Sequence, residues 1–142
     1  MMISTKGRYA LRVMVDLTEH NTDNYIPLKD IAERQEISQK YLESIMTVLS
    51  KAGFVDAPHG KGGGYRLNRS PNEYTIGSIL KLTEGTLVPV ACLENEHNKC
   101  SRAANCRTLP MWTELDCLID HYLEGITVGD LAKNISDGDY VI

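Results

Sequence analysis

Apolar positions in the first third of the chain fall into helical stripes. Over 5–20, Tyr9, Val13 and Leu17 recur at every fourth residue, Ala10, Leu11 and Met14 widen the stripe, and Thr5 can cap the helix. Turn formers at 21–24 end it. Pro27 then stands where the first turn of a second helix begins, running through Leu28, Ile31 and Ala32 to about Gln35. After Glu36 and Ile37, Ser38 is a good N-cap for a third helix with Tyr41, Leu42, Ile45, Met46 and Leu49 along its buried side, and Gly53 closes it in a left-handed conformation. Two short apolar runs, 54–57 and 65–68, flank a glycine-rich loop at 58–64 and predict a hairpin.

In the second half, Thr75 caps a helix carrying Ile76, Ile79, Leu80 and Leu82, and 86–108 shows no period. Pro110 starts a longer helix with Met111, Trp112, Leu115, Leu118, Ile119, Tyr122 and Leu123, ended by Gly125; a short helix at 128–134 follows, capped by Thr127. Three helices with a tight turn before the third, then a hairpin, is the order of a winged helix-turn-helix. The expected fold class is therefore mainly α with a small β-hairpin wing and a long C-terminal helix. That helix is apolar on more than one side. Trp112, Leu115, Ile119 and Tyr122 follow a 3–4 repeat suited to a second helix, which predicts a homodimer; burial inside one chain is the competing reading.

With 142 residues, 42% apolar and 24% charged, the chain fits one folded domain, and one Trp and one Phe leave the core to aliphatic side chains. Lys6, Arg8 and Arg12 interrupt the first twenty residues, which argues against a secretory signal, and no eighteen-residue apolar run exists to span a membrane. The expected location is cytoplasmic. The net charge of -4 is uneven: residues 1–69 hold 10 Lys+Arg and 8 Asp+Glu, residues 70–142 hold 5 and 11. The N-terminal half is the one suited to a polyanion.

A helix-turn-helix places its second helix in the major groove of DNA, N-terminal residues first. Those residues are Ser38, Gln39, Lys40 and Tyr41, with Glu43 one turn in. Gln39 offers a paired donor and acceptor, Lys40 reaches a phosphate or a guanine edge, and Glu43 accepts from a cytosine amine. A merely solvated helix face is the alternative. At 58–64 a P-loop would need Ser or Thr after Lys61, and a dinucleotide fingerprint would need Gly at Tyr65 with a helix beyond; both fail, and no enzyme is expected. A bare loop carrying His59 and Lys61 suits a wing lying along a minor groove or phosphate rail. The expected partner is double-stranded DNA with a near-palindromic operator.

Cys92, Cys100 and Cys106 form C-x7-C-x5-C in the irregular segment, with Lys99, Arg102 and Arg107 nearby to favour thiolates. Thiolates on irregular backbone can converge on an iron–sulfur cluster, zinc or cuprous ion; three small packed residues are the bland alternative. Candidates for a fourth ligand are His97, Glu94 and Glu96, and with His97 the set also suits zinc. Cys117 lies among apolar neighbours on the long helix, where a structural role is expected.

Ser4-Thr5-Lys6-Gly7-Arg8-Tyr9-Ala10, the Ser38–Glu43 stretch with its Tyr41-Leu42-Glu43 step, and Gly62-Gly63-Gly64-Tyr65 together resemble the IscR, NsrR and CymR family of bacterial winged-helix regulators. The resemblance runs from Ile3 to about Asn134. It implies a homodimeric transcription factor, expected to be a repressor, paired through the long helix, with Ser38, Lys40, Tyr41 and Glu43 at the DNA and His59 at the wing. The cysteine trio resembles the cluster-binding branches and implies an iron–sulfur cluster, 2Fe–2S ahead of 4Fe–4S. Zinc is the alternative. The IscR branch places His where this chain has Leu109, and some NsrR-like members place an acid where it has Arg8, so the fourth ligand is open. The implied signal is iron–sulfur status, with nitric oxide or redox damage as the alternative signal. A small iron–sulfur electron carrier and a metal-free partner-binding module are the readings outside this class. The expected division is a DNA-binding domain at 1–85, a cysteine-bearing cluster loop at 86–108, and a dimerisation helix with tail at 109–142.

Overall fold

The computed structural model describes residues 2–20, 24–57, 63–95 and 97–137. Helix α1 spans Thr5–Glu19, and its cap is Ser4 rather than Thr5: Ser4 is extended and its Oγ accepts from Gly7 N, while Thr5 is already in the first helical turn. Helix α2 spans Leu28–Gln35, with Pro27 as the residue before it. Glu36 ends α2 in the left-handed region at φ 55°. Ser38 then opens α3, Gln39–Lys51, by accepting from Tyr41 N at 3.2 Å. Gly53, at φ 78°, takes the left-handed position after α3 that a side chain would resist.

The wing is smaller and better anchored than a free hairpin. Strand β1, Val55–Asp56, pairs antiparallel with β2, Arg66–Leu67, with Val55 opposite Leu67. Tyr65 then bridges back to Ile26, exchanging N–H···O bonds of 2.8 and 2.9 Å, so the segment before α2 edges the sheet. That closeness explains one glycine: a Cβ on Gly64 would lie 2.6 Å from the Ile26 carbonyl oxygen.

Helix α4, Ile76–Glu84, is capped by Thr75, whose Oγ1 accepts from Ser78 N at 3.0 Å. The segment after it contains two short 3-10 turns, Ala91–Leu93 and Ala103–Asn105. Helix α5, Leu109–Glu124, starts with Pro110 in its first turn, where a missing N–H costs nothing. Helix α6, Val128–Asp137, returns to the head and packs on α1. It runs three residues beyond its expected end at 134. Ile76 N donates to Ile126 O and Val128 N to Tyr74 O, both at 2.9 Å, which ties the entrance of α6 to that of α4.

One core unites these elements. Val13, Met14 and Leu17 of α1 meet Ile31 of α2, Leu42, Ile45, Met46 and Leu49 of α3, Ile79 of α4 and Val128 of α6, all essentially sealed from solvent. Tyr74 is as deeply buried. Its hydroxyl donates to Phe54 O at 2.8 Å and accepts from Asn68 N at 3.1 Å, which satisfies the polar end. Among the described residues no helix is long and apolar enough to cross a membrane.

Candidate nucleic-acid interface and cysteine loop

The start of α3 stands on the surface. Ser38, Gln39, Lys40, Tyr41 and Glu43 are all exposed, while Leu42, Ile45 and Met46 on the same helix are buried. The 3.6-residue period thus turns one face into the core and leaves the polar face open. Ser38 spends its hydroxyl on the cap, which fixes where the helix begins. Tyr41 leans edge-on against Tyr9 of α1, with ring centroids 5.8 Å apart and planes at 88°. His59 and Lys61, the wing-tip candidates, lie outside the described residues; Arg66 on β2 stacks over Tyr25 at 4.5 Å.

The turn between α2 and α3 is held by α1. Asp16 is 1% exposed; it accepts from Arg34 Nη2 at 2.8 Å, Arg34 Nε at 3.0 Å and Gln35 Nε2 at 2.8 Å. The hydrogen bond to Asp16 raises the Arg34 guanidinium above its usual value. Gln35 Oε1 accepts from Arg12 Nε at 3.1 Å, and Arg12 Nη2 also donates to the Gln35 carbonyl. Arg12 lies over the Tyr9 ring at 5.0 Å. Residue-type reasoning passed over these groups, although a signal was present: Asp16 interrupts a stripe of otherwise apolar positions, and a carboxylate there must be paired.

The three loop cysteines lie on or beside the 3-10 turns. Cys92 is exposed within the first; Cys100 is exposed, and its Sγ accepts from Arg102 N at 3.4 Å; Cys106 is half-buried after the second, 3.4 Å from Thr108 Oγ1. Hydrogen bonds from Thr108, then from the Leu109 backbone, with a smaller contribution from the Arg102 charge, lower the Cys106 thiol below its usual value. All four cysteines are free. Among the described residues no three His, Cys, Asp or Glu side chains converge closely enough to hold a metal ion, so the trio is spread along the loop. Glu94 and His97 are exposed in the same segment, and Glu96 lies outside the described residues. Cys117 is exposed rather than packed among its apolar neighbours, because it falls on the solvent side of α5.

The exposed apolar face of α5 differs from the expected one. Met111, Leu115, Leu118 and Tyr122, spaced four, three and four, stand 52%, 37%, 60% and 66% exposed. Trp112 and Ile119 are half-buried, and Leu123 packs on the core. Helix α5 is held to α4 through Lys81, which donates to Asp120 at 2.5 Å and Glu124 at 3.0 Å.

A family model described as Rrf2, iron-dependent transcriptional regulator, matches residues 3–134. The chain belongs to the Rrf2 family. It is 37% identical over 131 residues to the HTH-type transcriptional regulator IscR of Aliivibrio salmonicida, covering 92% of this chain and 77% of that protein. Identity to IscR of Vibrio cholerae is also 37%, over 134 residues, covering 94% and 76%. Among solved structures, CymR, the global cysteine regulator of B. subtilis, superposes with a TM-score of 0.75 at 34% identity, covering 94% of this chain and 97% of that one. T. potens IscR matches with a TM-score of 0.75 at 32% identity, covering 100% and 93%. The chain is thus a DNA-binding transcriptional regulator of the Rrf2 family, and that family is one of regulators rather than enzymes.

Proposed function

We propose that this Rrf2 regulator acts as a homodimer on near-palindromic double-stranded DNA, and that Cys92, Cys100 and Cys106 hold an iron–sulfur cluster that sets its grip. The observation that carries the DNA reading is the start of α3: five polar or aromatic residues, Ser38, Gln39, Lys40, Tyr41 and Glu43, exposed on a helix whose opposite face is locked in the core. Gln39 and Glu43 supply base-edge donors and acceptors, Lys40 a cation for phosphate or guanine, and Tyr41 an apolar surface with a hydroxyl. His59 and Lys61 at the wing tip extend the contact along the backbone. The exposed stripe of α5 supports pairing of two copies, which would present two reading heads to two half-sites.

Thiolate chemistry suits an iron–sulfur group, and the loop must draw Cys92, Cys100 and Cys106 together to hold one. Three free thiols reach solvent on irregular backbone, so their directions are not fixed by a helix, and Cys106 is already biased toward thiolate. Leu109 offers no donor, which leaves Glu94, Glu96 and His97 as nearby candidates for a fourth ligand. A bound cluster supplies an iron- and redox-sensitive link across the loop. The chain's own part is to present the thiolates and to stabilise one arrangement of the loop over another, which is the only way a ligand changes DNA affinity.

Footprinting on genomic fragments tests the DNA reading. Wild-type protein protects a defined stretch, and Lys40→Ala or Tyr41→Ala moves that protection to at least about ten-fold higher protein concentration while the dimer stays folded by circular dichroism. Unchanged protection refutes the assignment of α3. For the cysteines, anaerobically purified protein is brown and contains iron and sulfide, both lost on replacing the trio with Ser; colourless protein with stoichiometric zinc refutes the cluster.

A further inference from the structure

A chain of side-chain contacts leads from a buried carboxylate to the start of α3. Asp16, sealed on the inner face of α1, accepts from the Gln35 amide nitrogen at 2.8 Å, which leaves Gln35 Oε1 to accept from another donor. Arg12 Nε donates to that oxygen at 3.1 Å. Its Nη2 reaches the Gln35 carbonyl, one of the carbonyls that the end of α2 leaves without a helical partner. So fixed, the flat guanidinium covers the Tyr9 ring at 5.0 Å, and the Tyr9 ring meets Tyr41 edge-on at 5.8 Å. Arg12 is thereby the hub at which the α2–α3 turn and the Tyr9–Tyr41 pair are registered to each other.

We infer that Arg12 is a positioning residue for DNA recognition: held by Gln35 and Asp16, it fixes Tyr9 so that Tyr41 is presented at the start of α3 in one pose. The inference rests on the reading of α3 as the DNA-contacting helix. The physical reason is preorganisation. Tyr41 is partly exposed, so only its contact with Tyr9 keeps it from other rotamers, and a side chain already locked in its bound pose gives up less freedom when the complex forms. Lysine cannot replace arginine here. It has no planar face to lie along Tyr9 and no fork to bond the Gln35 side chain and carbonyl together.

The competing role for an exposed cation on this face is direct contact with phosphate, and a double-mutant cycle separates the two. The full-length protein is tested with a duplex that the wild type selects from a random pool, using Arg12→Lys, Gln35→Met, Tyr41→Ala and the pairs with Tyr41→Ala. Arg12→Lys keeps the charge, and Gln35→Met removes no cation. Each weakens binding to the selected duplex by up to about ten-fold, the cost of ordering one unlocked side chain when the complex forms, while binding to scrambled duplex and its salt dependence stay at wild-type values. In the Tyr41→Ala background the same substitutions change binding by less than about two-fold, because their effect passes through Tyr41. A loss that persists undiminished in that background, or that appears equally on scrambled duplex, overturns the positioning role while leaving α3 as the reader. If Tyr41→Ala alone binds the selected duplex as the wild type does, the reading of α3 falls and this inference with it. Arg12 is exposed, and an unchanged thermal midpoint for Arg12→Lys shows that the comparison concerns recognition rather than folding.

Discussion

Replacing Leu118 is the sharpest test of how two copies of this chain pair. In the single chain, Met111, Leu115, Leu118 and Tyr122 leave between a third and two-thirds of their surfaces in water. Complete burial of one such side chain is worth about 2 kcal/mol, so covering the exposed parts of all four contributes about 4 kcal/mol per protomer and about 8 per two-fold pair. That is the scale of the cost of association, of order 4–15 kcal/mol, so the dimer has little to spare. Leu118 is 60% exposed, and Leu118→Ala removes about 1 kcal/mol from each protomer, about 2 from the pair. The dimer dissociation constant rises about thirty-fold. Leu118→Asp does more, because pairing would then bury two carboxylates. Sedimentation velocity over a concentration series reads the shift, and the thermal midpoint of the monomer stays put because the side chain faces solvent there. If Leu118→Asp sediments like wild type at every concentration, this face of α5 is not where two copies meet.

Three further outcomes follow from the geometry of the head. Gly64→Ala forces a Cβ against the Ile26 carbonyl and destabilises the protein by about 1–3 kcal/mol, read as a lower urea midpoint; an unchanged midpoint refutes the close packing of the wing on Ile26. Asp16→Asn leaves the Arg34 guanidinium without its carboxylate and costs about 2–3 kcal/mol, at the low end for a buried pair because Arg34 is one-third exposed. Burial lifts the Tyr74 phenol above its usual value, so the native state keeps that proton longer than the unfolded chain does. Stability is full below about pH 10 and falls as the pH rises toward the folded value, and Tyr74→Phe removes this alkaline loss while lowering stability at pH 7 by about 1 kcal/mol; urea melts at pH 7 and 10.5 compare the two.

What could be read from the residues divides by the range of the forces involved. Caps and periodicity are local, so Ser38, Thr75 and Gly53 marked element ends correctly, and the alternation of Leu42, Ile45 and Met46 with polar neighbours fixed which side of α3 turns inward. Contacts between distant segments left fainter traces. The bridge from Tyr65 to Ile26 depends on where the chain passes before α2, and its only local sign is the bare Gly64 beside it. On α5, apolarity around the helix does not reveal which residues the chain itself covers. Trp112 and Ile119 fit the same repeat as Leu115 and Tyr122, and only packing within the folded chain separates the half-buried side from the open one. The Arg12 cluster was least legible, since it joins an arginine, a glutamine and two tyrosines that share no motif and meet only after α1, α2 and α3 have docked.

The same docking places the start of the cysteine loop against the start of α1. Glu84 Oε1, at the end of α4, accepts from Ser4 N at 3.0 Å and from Ser4 Oγ at 2.6 Å, and Leu87 just beyond is buried in the common core. A carboxylate at that end of α1 also meets the positive pole of the helix, which strengthens the joint. Met2, Ile3, Glu84, Leu87, Pro89 and Val90 line an open cavity of about 350 Å³ there. Ala91 and Glu94 also line it, so Cys92 lies between two residues of that wall, and Tyr9, on the same α1 that begins at this joint, touches Tyr41. The start of the proposed sensing loop and the proposed reading helix thus both touch α1. A group that favoured one arrangement of the loop would alter DNA affinity by no more than the difference in its own binding to the two arrangements.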